Sequence, residues 1–280
     1  MFPSRRIILG GDVFRDEHSL SFDGTDQYIA INGFSSVLDE DDAFTFVVWF
    51  KATNTPSSTS SHFLDILFSS NKSADWANTF RLSLNSATSD VGDGEPLGGI
   101  CIDDTRNVEQ VAMDNSTNTL GTSYYDSKWH HLVLTRPAGA TNQDSRIYID
   151  GKQLLYIFAA DGTSVATDGG IPSDPAWDGD RFSIGQEFDG GSPTDNFTGF
   201  MSDFVAFDVE LSSSQVATIY NGREPYNHKE GIASGNLQAW YRMGDGLENN
   251  SGTTIYDMSD NSNNGTMTNM AASDFTGDTP

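Results

Sequence analysis

Several features that many proteins depend on are scarce in this chain of 280 residues. Cys101 is the only cysteine, so no disulfide forms within the chain, and we expect it to act as a small buried hydrophobic residue. No apolar run approaches the roughly 18 residues that a membrane-spanning helix needs. The run Ile7–Leu9 near the start is too short for the apolar core of a signal peptide.

Basic residues are scarce as well: 15 lysines and arginines face 40 aspartates and glutamates, for a net charge of −25 at pH 7. Contacts with phosphate groups need clustered basic side chains, so the charge argues against nucleic acid and membrane surfaces as partners. We expect most carboxylates to be solvated and a few to hold a cation. Arg5, Arg6 and Arg15 lie within residues 1–17, which are either an arm that docks on an acidic chain or a solvated tail.

Strand-forming sequence is abundant, with 18 Phe, 9 Tyr and 27 Gly, and long helical periodicity is absent. Phe44–Trp49 is almost entirely apolar, which predicts a buried strand. Phe63–Ser69 and Thr79–Leu84 predict a pair of strands. In Ser19–Ile31 two alternating stretches flank Asp23-Gly24, which predicts a tight hairpin turn. Together these patterns favour an all-β fold.

The segment from Phe182 to Gly222 has the clearest local pattern. Its order is strand, acidic loop, strand and short helix, over Phe182–Gly185, Gln186–Asn196, Gly199–Asp208 and residues 212–221. Ser212 with Gln215 three residues later is a capping-box pattern, and Gly222 is a typical helix stop. We therefore expect one short helix near 212–221.

Three stretches resemble the laminin-G-like, pentraxin and concanavalin A-like jelly rolls. They are Leu20–Gly24 with Tyr28, Trp129–His131 with Tyr148–Gly151, and Ile184-Gly185 with Gly199, Leu211-Ser212 and Ile219–Gly222. The resemblance implies an all-β, two-sheet antiparallel jelly-roll sandwich. In that pattern His130 and His131 lie in a strand, so a structural role is favoured over a metal or acid–base role.

The last stretch of the chain resembles a segment that precedes the opening strand in bacterial laminin-G-like domains. The matching residues are Asp257, Ser259, Asn261, Asn263, Gly265 and Thr266. The segment either completes the first sandwich or begins a second one, and about 44 residues are too few for a core of their own. We therefore predict an N-terminal arm at 1–17, a core at 18–225, a linker at 226–236 and a closing segment at 237–280.

The acidic loop is the strongest candidate for a metal site. Gly185–Asp189 is similar to the pentraxin calcium loop, and the resemblance implies Ca²⁺ ligands at Glu187, the Phe188 carbonyl and Asp189. It further implies ligands from Asp195 in the same loop and from Asp75 or Asn78 before an earlier strand. Carboxylate and carbonyl oxygens are the ligands that Ca²⁺ prefers. The alternative is an acidic loop that binds nothing.

Aromatic residues in predicted loops are the candidates for stacking on sugar rings. They are Trp76, Trp177, Tyr124 and Tyr125, and for each of them a packing role is the alternative. Trp49, Trp129 and Trp240 fall in predicted strands and are expected in the core.

No catalytic motif is present: Glu-x-Asp-x-x-Glu, Gly-x-Ser-x-Gly and His-Glu-x-x-His are all missing, so we expect no enzyme activity. The C-terminal segment resembles virion surface proteins of marine tailed phages. This implies a virion structural protein (capsid decoration, fibre or tail component), assembled in the host cytoplasm, that contacts other virion proteins, copies of itself and glycans. The alternatives are a calcium-dependent lectin or adhesin at a bacterial cell surface, and a divergent glycoside hydrolase.

Overall fold

A computed structural model of the chain describes residues 14–34, 42–53, 64–71, 79–85, 99–103, 110–113, 123–139, 145–154, 156–159, 164–166, 181–189 and 192–280. These residues form two large sheets, one small hairpin and one α-helix, α1, at Ser213–Tyr220. The predicted two-sheet antiparallel sandwich with one short helix is confirmed.

The first sheet has eight strands. They are β1 (Ser19–Asp23), β3 (Phe44–Ala52), β8 (His130–Arg136), β9 (Arg146–Ile149), β10 (Lys152–Gln153), β16 (Thr198–Phe207), β17 (Leu237–Tyr241) and β20 (Phe275–Thr276). Their order is β10-β9-β8-β3-β16-β1-β20, and β17 also pairs with β16. Every pairing is antiparallel, and β1 and β17 follow one another along the same side of β16.

The second sheet has ten strands. They are β2 (Tyr28–Asn32), β4 (Leu64–Asn71), β5 (Thr79–Asn85), β6 (Ile100–Asp103), β7 (Gln110–Met113), β11 (Tyr156–Ala159), β12 (Ser164–Ala166), β13 (Arg181–Ile184), β18 (Thr254–Ile255) and β19 (Gly265–Thr268). Their order is β12-β11-β7-β6-β5-β4-β13-β2-β19-β18. The predicted pairing of β4 with β5 is confirmed.

The main core lies between the two sheets and is dominated by phenylalanine. Phe46 and Phe204 of the first sheet meet Phe68 and Phe182 of the second, with ring centroids 5.2 Å apart for Phe46–Phe68 and 5.6 Å for Phe182–Phe204. Burying each such ring stabilises the fold by about 1.5–3 kcal/mol.

A second apolar cluster covers the outer face of the first sheet. Val47 of β3 and Val205 of β16 pack there with Val216 and Ile219 of α1. Both faces of β3 are therefore buried, which explains its almost continuous apolar sequence. The predicted capping box at Ser212 is present, and the helix ends at Asn221, whose φ is +50°.

The predicted hairpin at Ser19–Ile31 is wrong. β1 pairs with β16 in the first sheet, while β2 pairs with β13 and β19 in the second. The chain crosses the core between them, so that Leu20 and Ile29 face the same interior from opposite sheets. Gly24 makes the crossing possible, since its φ is +72° and a Cβ there would lie 2.0 Å from the Thr198 hydroxyl.

The C-terminal residues contribute strands to both sheets. β17 pairs with β16 and β20 with β1 in the first sheet, and β19 pairs with β2 in the second. The domain boundaries at 17, 225 and 236 stay predictions. Among the residues that the structure describes, no helix has the length and apolar character needed to cross a membrane.

Candidate functional site

The acidic loop contains a small hairpin that the sequence did not predict. β14 (Glu187–Asp189) pairs with β15 (Ser192–Thr194). The chain turns out of β13 at Gly185, whose φ is +89° and where a Cβ would lie 2.5 Å from the Phe22 ring. The Gln186 carbonyl then accepts hydrogen bonds from the hydroxyls of Ser69 and Ser183, both at 2.9 Å. The start of the loop is thereby fixed over the second sheet.

Glu187 contacts a basic side chain of the second sheet, on the face that also carries the two serines that bind the Gln186 carbonyl. Ser183, Ser69 and Arg81 are cross-strand neighbours on β13, β4 and β5. Arg81 Nη1 lies 2.8 Å from Glu187 Oε1, and the Glu187 side chain is only 4% exposed. Burial raises the pKa of Glu187 to about 7. The hydrogen-bonded Asp195 carboxyl adds to this rise, whereas Arg81 lowers the pKa.

The structure places the remaining predicted calcium ligands as follows. Asp195 is in hydrogen-bonding contact with Glu187, and the half-buried Phe188 ring packs edge-on against Tyr28 at 5.8 Å. Asp75 and Asn78 lie outside the described residues, and so does the side chain of Asp189. These three residues therefore stay predictions.

The described residues do not fit the calcium site that the resemblance implies. Ca²⁺ takes six to eight oxygen ligands from carboxylates, carbonyl groups and waters. Within the described ranges no group of three or more acidic, histidine or cysteine side chains is arranged to hold a metal ion. The first expected ligand, Glu187, is already paired with the guanidinium of Arg81.

The predicted aromatic binding residues have different positions. Tyr124 is 6% exposed and packs against Phe50 and His130, so its ring is not open to a sugar. Tyr125 is half-buried against the main core, and its hydroxyl donates to Asp65 at 2.6 Å. Trp76 and Trp177 lie outside the described residues and stay predictions.

Both histidines of β8 are held by structural contacts. His130 lies between the carboxylates of Asp150 and Asp126, at 3.0 and 3.1 Å. Burial lowers the pKa of His130, but these two hydrogen bonds outweigh it and raise the pKa above its usual value. His131 is buried beside Trp49, and burial lowers its pKa to about 3. A structural role fits both.

The polar motif of the C-terminal segment is also satisfied internally. The Asp257 carboxylate accepts from the backbone N–H groups of Trp240, Ser259 and Asn263 and from the Ser259 hydroxyl. Four donors saturate this carboxylate, so the spaced Asp, Ser and Asn residues build a turn.

A buried pair of carboxyl groups was missed by the sequence analysis. Asp203 is 1% exposed, has a φ of +47° at an irregularity of β16, and accepts from Trp240 Nε1 at 2.8 Å. Its second neighbour is Asp16, which pairs with Arg242 at 2.7 Å. Burial, then Asp16, raises the pKa of Asp203 well above its usual value, which favours the protonated form of this carboxyl group in the folded protein. No local pattern marks this pair.

A groove in the described part of the chain is large enough for a small ligand. Its volume is about 330 Å³, and it is lined by Lys229, Ser234, Gly235, Leu237, Gln238, Asp260 and Asn261. Lys229 and Asp260 form an ion pair at 2.7 Å at this groove. These residues fall in the predicted linker and closing segment, where an Asn- and Ser-rich turn gives no specific indication of a ligand.

Comparisons with known proteins agree with the fold. The family model of the concanavalin A-like lectin/glucanases superfamily matches residues 23–217. A Bacteroides ovatus protein described as carbohydrate-binding is similar in structure, with a TM-score of 0.57 at 17% identity; the match covers 94% of this chain and 60% of that one. No curated protein matches the sequence.

Two further structures have lower scores. The heptameric pentraxin of Limulus polyphemus has a TM-score of 0.43 at 18% identity, covering 74% of this chain and 83% of that one. A sialidase module of Ruminococcus gnavus bound to sialyllactose has a TM-score of 0.42 at 12% identity, covering 72% and 97%. At such identities a structural similarity concerns the fold alone.

Proposed function

Because the chain belongs to the concanavalin A-like lectin/glucanases superfamily, we propose that it is a non-catalytic carbohydrate-binding protein. The observation that carries the proposal is the polar groove of about 330 Å³ described above. Small-molecule sites are concave, with volumes from about 300 Å³ upward. The groove is therefore large enough for a small saccharide.

The side chains of the groove have the chemistry that sugar hydroxyls need. Lys229 and Asp260 offer charged donors and acceptors, with side chains 49% and 88% exposed. Gln238 donates to Asp208 at 2.8 Å, and Asn261 donates to the Leu237 carbonyl at 3.0 Å, which fixes the orientation of both amides. Fixed amide groups lower the entropic cost of binding a ligand.

Two features support neutral glycans and a non-catalytic role. The net charge of −25 repels anionic saccharides. A glycosidase needs two carboxyl groups roughly 5–10 Å apart on either side of the scissile bond. Glu187 and Asp195 instead touch one another, and the buried Glu187 is paired with Arg81, so neither is placed for that reaction.

The test is a binding measurement with neutral gluco-, manno- and galacto-oligosaccharides by calorimetry. We expect the wild type to bind one class and the double variant Lys229→Ala with Asp260→Ala to bind it at least about tenfold more weakly. Lys152→Ala, an exposed lysine of β10, is the matched control and should bind like the wild type. Failure of the wild type to bind any neutral glycan would refute the proposal, and release of shortened products would favour the hydrolase alternative.

We also propose a setting for this activity, the surface of a phage virion. It is supported by the resemblance of residues 237–280 alone. In this setting the protein contacts other virion proteins or its own copies and presents the groove to glycans outside. Detection of the chain in purified particles by mass spectrometry, and on their surface by antibody labelling, tests the assignment; its absence from the particles would leave a cell-surface lectin or adhesin.

A further inference from the structure

Both ends of the acidic loop are anchored by the second sheet. At the start, the Gly185 N–H donates to the Leu67 carbonyl, and the Gln186 carbonyl accepts from two buried serine hydroxyls. At the end, the Asp195 carbonyl accepts a hydrogen bond from the Ile66 N–H at 3.1 Å. Asp195 itself has a left-handed backbone conformation, with φ of +49°. The Phe197 N–H donates back to the Gly185 carbonyl at 2.9 Å. The backbone of the loop is thus tied to β4 at two points.

Arg81 supplies the positive charge between these two anchors. Its guanidinium reaches Glu187 at 2.8 Å, and the two side chains are 24% and 4% exposed. Glu187 in turn contacts the Asp195 carboxyl from the other end of the loop. A partly buried arginine–carboxylate contact is stronger than one at the surface, and removing Arg81 leaves the buried Glu187 carboxyl group without its partner.

We propose that Arg81 replaces the divalent cation that the resemblance implies, and that it organises the acidic loop without Ca²⁺. A calcium ion bound through Glu187 would lie beside the guanidinium and be repelled by it. To make room, Arg81 would have to leave a site where it is mostly buried and give up its ion pair. The acidic loop is therefore a metal-independent feature of this chain, whether or not the protein binds glycans.

Limited proteolysis tests the inference, because Phe188 offers a chymotrypsin site within the loop. In the wild type we expect equal cleavage rates after Phe188 in 5 mM CaCl₂ and in EDTA, and no calorimetric binding of Ca²⁺ that depends on Glu187. Arg81→Met should be cleaved at least about tenfold faster, and Arg81→Lys should fall between the two. Arg146→Met, a half-buried arginine in β9, is the matched control and should leave the rate unchanged.

The inference is overturned if EDTA accelerates cleavage of the wild type, or if Ca²⁺ binds to the wild type and Glu187→Gln abolishes that binding. Calcium binding that survives Glu187→Gln and leaves the cleavage rate unchanged belongs to a different site and supports the inference. If Arg81→Met does not fold, the comparison of wild type in CaCl₂ and in EDTA still decides. None of these readouts involves a glycan, so the result is separate from that of the binding test above.

Discussion

Replacing Asp203 by asparagine tests whether the buried carboxyl pair carries a proton. Asp203 is 1% exposed, and burial together with Asp16 raises its pKa well above the usual value of 3.8. In the unfolded chain the pKa of the same carboxyl group is about 3.9. Between these two pKa values the folded protein therefore binds one more proton than the unfolded chain does.

The sign of the effect follows from this extra proton. The free energy of unfolding falls as the pH rises from the unfolded pKa through the folded pKa, by about 1.4 kcal/mol per pH unit from this group. An asparagine removes that slope, because its amide oxygen accepts from Trp240 and its amide nitrogen donates to Asp16. We expect Asp203→Asn to gain about 1.4 kcal/mol relative to the wild type for each pH unit above 5, until the folded pKa is passed.

Urea unfolding followed by tryptophan fluorescence at pH 5, 6 and 7 measures the slope. Asp26→Asn, at an exposed aspartate, controls for the loss of one negative charge. Asp203→Ala should be about 1–3 kcal/mol less stable than Asp203→Asn at every pH, because both variants lack the titrating group and only in alanine does the buried Trp240 N–H lose its acceptor. Equal slopes for the wild type and Asp203→Asn would show that Asp203 is ionised in the folded protein and would refute the reasoning.

Two further predictions concern single contacts. His130→Gln should lower the free energy of unfolding by about 1 kcal/mol at pH 5, because the histidine stabilises the fold in its protonated form. The loss should become smaller as the pH rises through the raised pKa of His130. Urea unfolding at pH 5 and 8 measures this, and a loss independent of pH would contradict it. Asp278→Ala should lower the free energy of unfolding by about 1 kcal/mol, because Lys51 and the Trp129 indole lose a partly exposed acceptor; thermal unfolding against Thr279→Ala checks it, and equal melting temperatures would contradict it.

The parts of the fold with strong local patterns were predictable. The apolar run of β3, the pair β4 and β5, and the capped helix α1 each depend on interactions between residues close in sequence or on burial that the composition shows directly. The resemblance to jelly rolls supplied the two-sheet arrangement. This arrangement could not be derived from the alternation of apolar and polar residues alone, because alternation does not show which strands are neighbours.

What the sequence could not show depends on partners that are distant in sequence. Asp23-Gly24 has the composition of a hairpin turn, yet the strands on either side find better apolar partners in opposite sheets. The acidic loop suggested a calcium site because its own residues are oxygen ligands, whereas Arg81, which pairs with Glu187, comes from β5. Asp16 and Asp203 are also distant in sequence, and nothing near either residue indicates the other.

The pairing of β20 with β1 has a consequence for how the protein is made. Leu20 lies opposite Phe275, so β1 has no outer neighbour until β20 has left the ribosome. Strand β2 likewise has no neighbour on one side until β19 has been synthesised. Open strand edges invite pairing with other chains, and contacts between distant residues form slowly. Synthesis of β19 and β20, and not the folding of any early segment, therefore sets the moment at which both edges become protected.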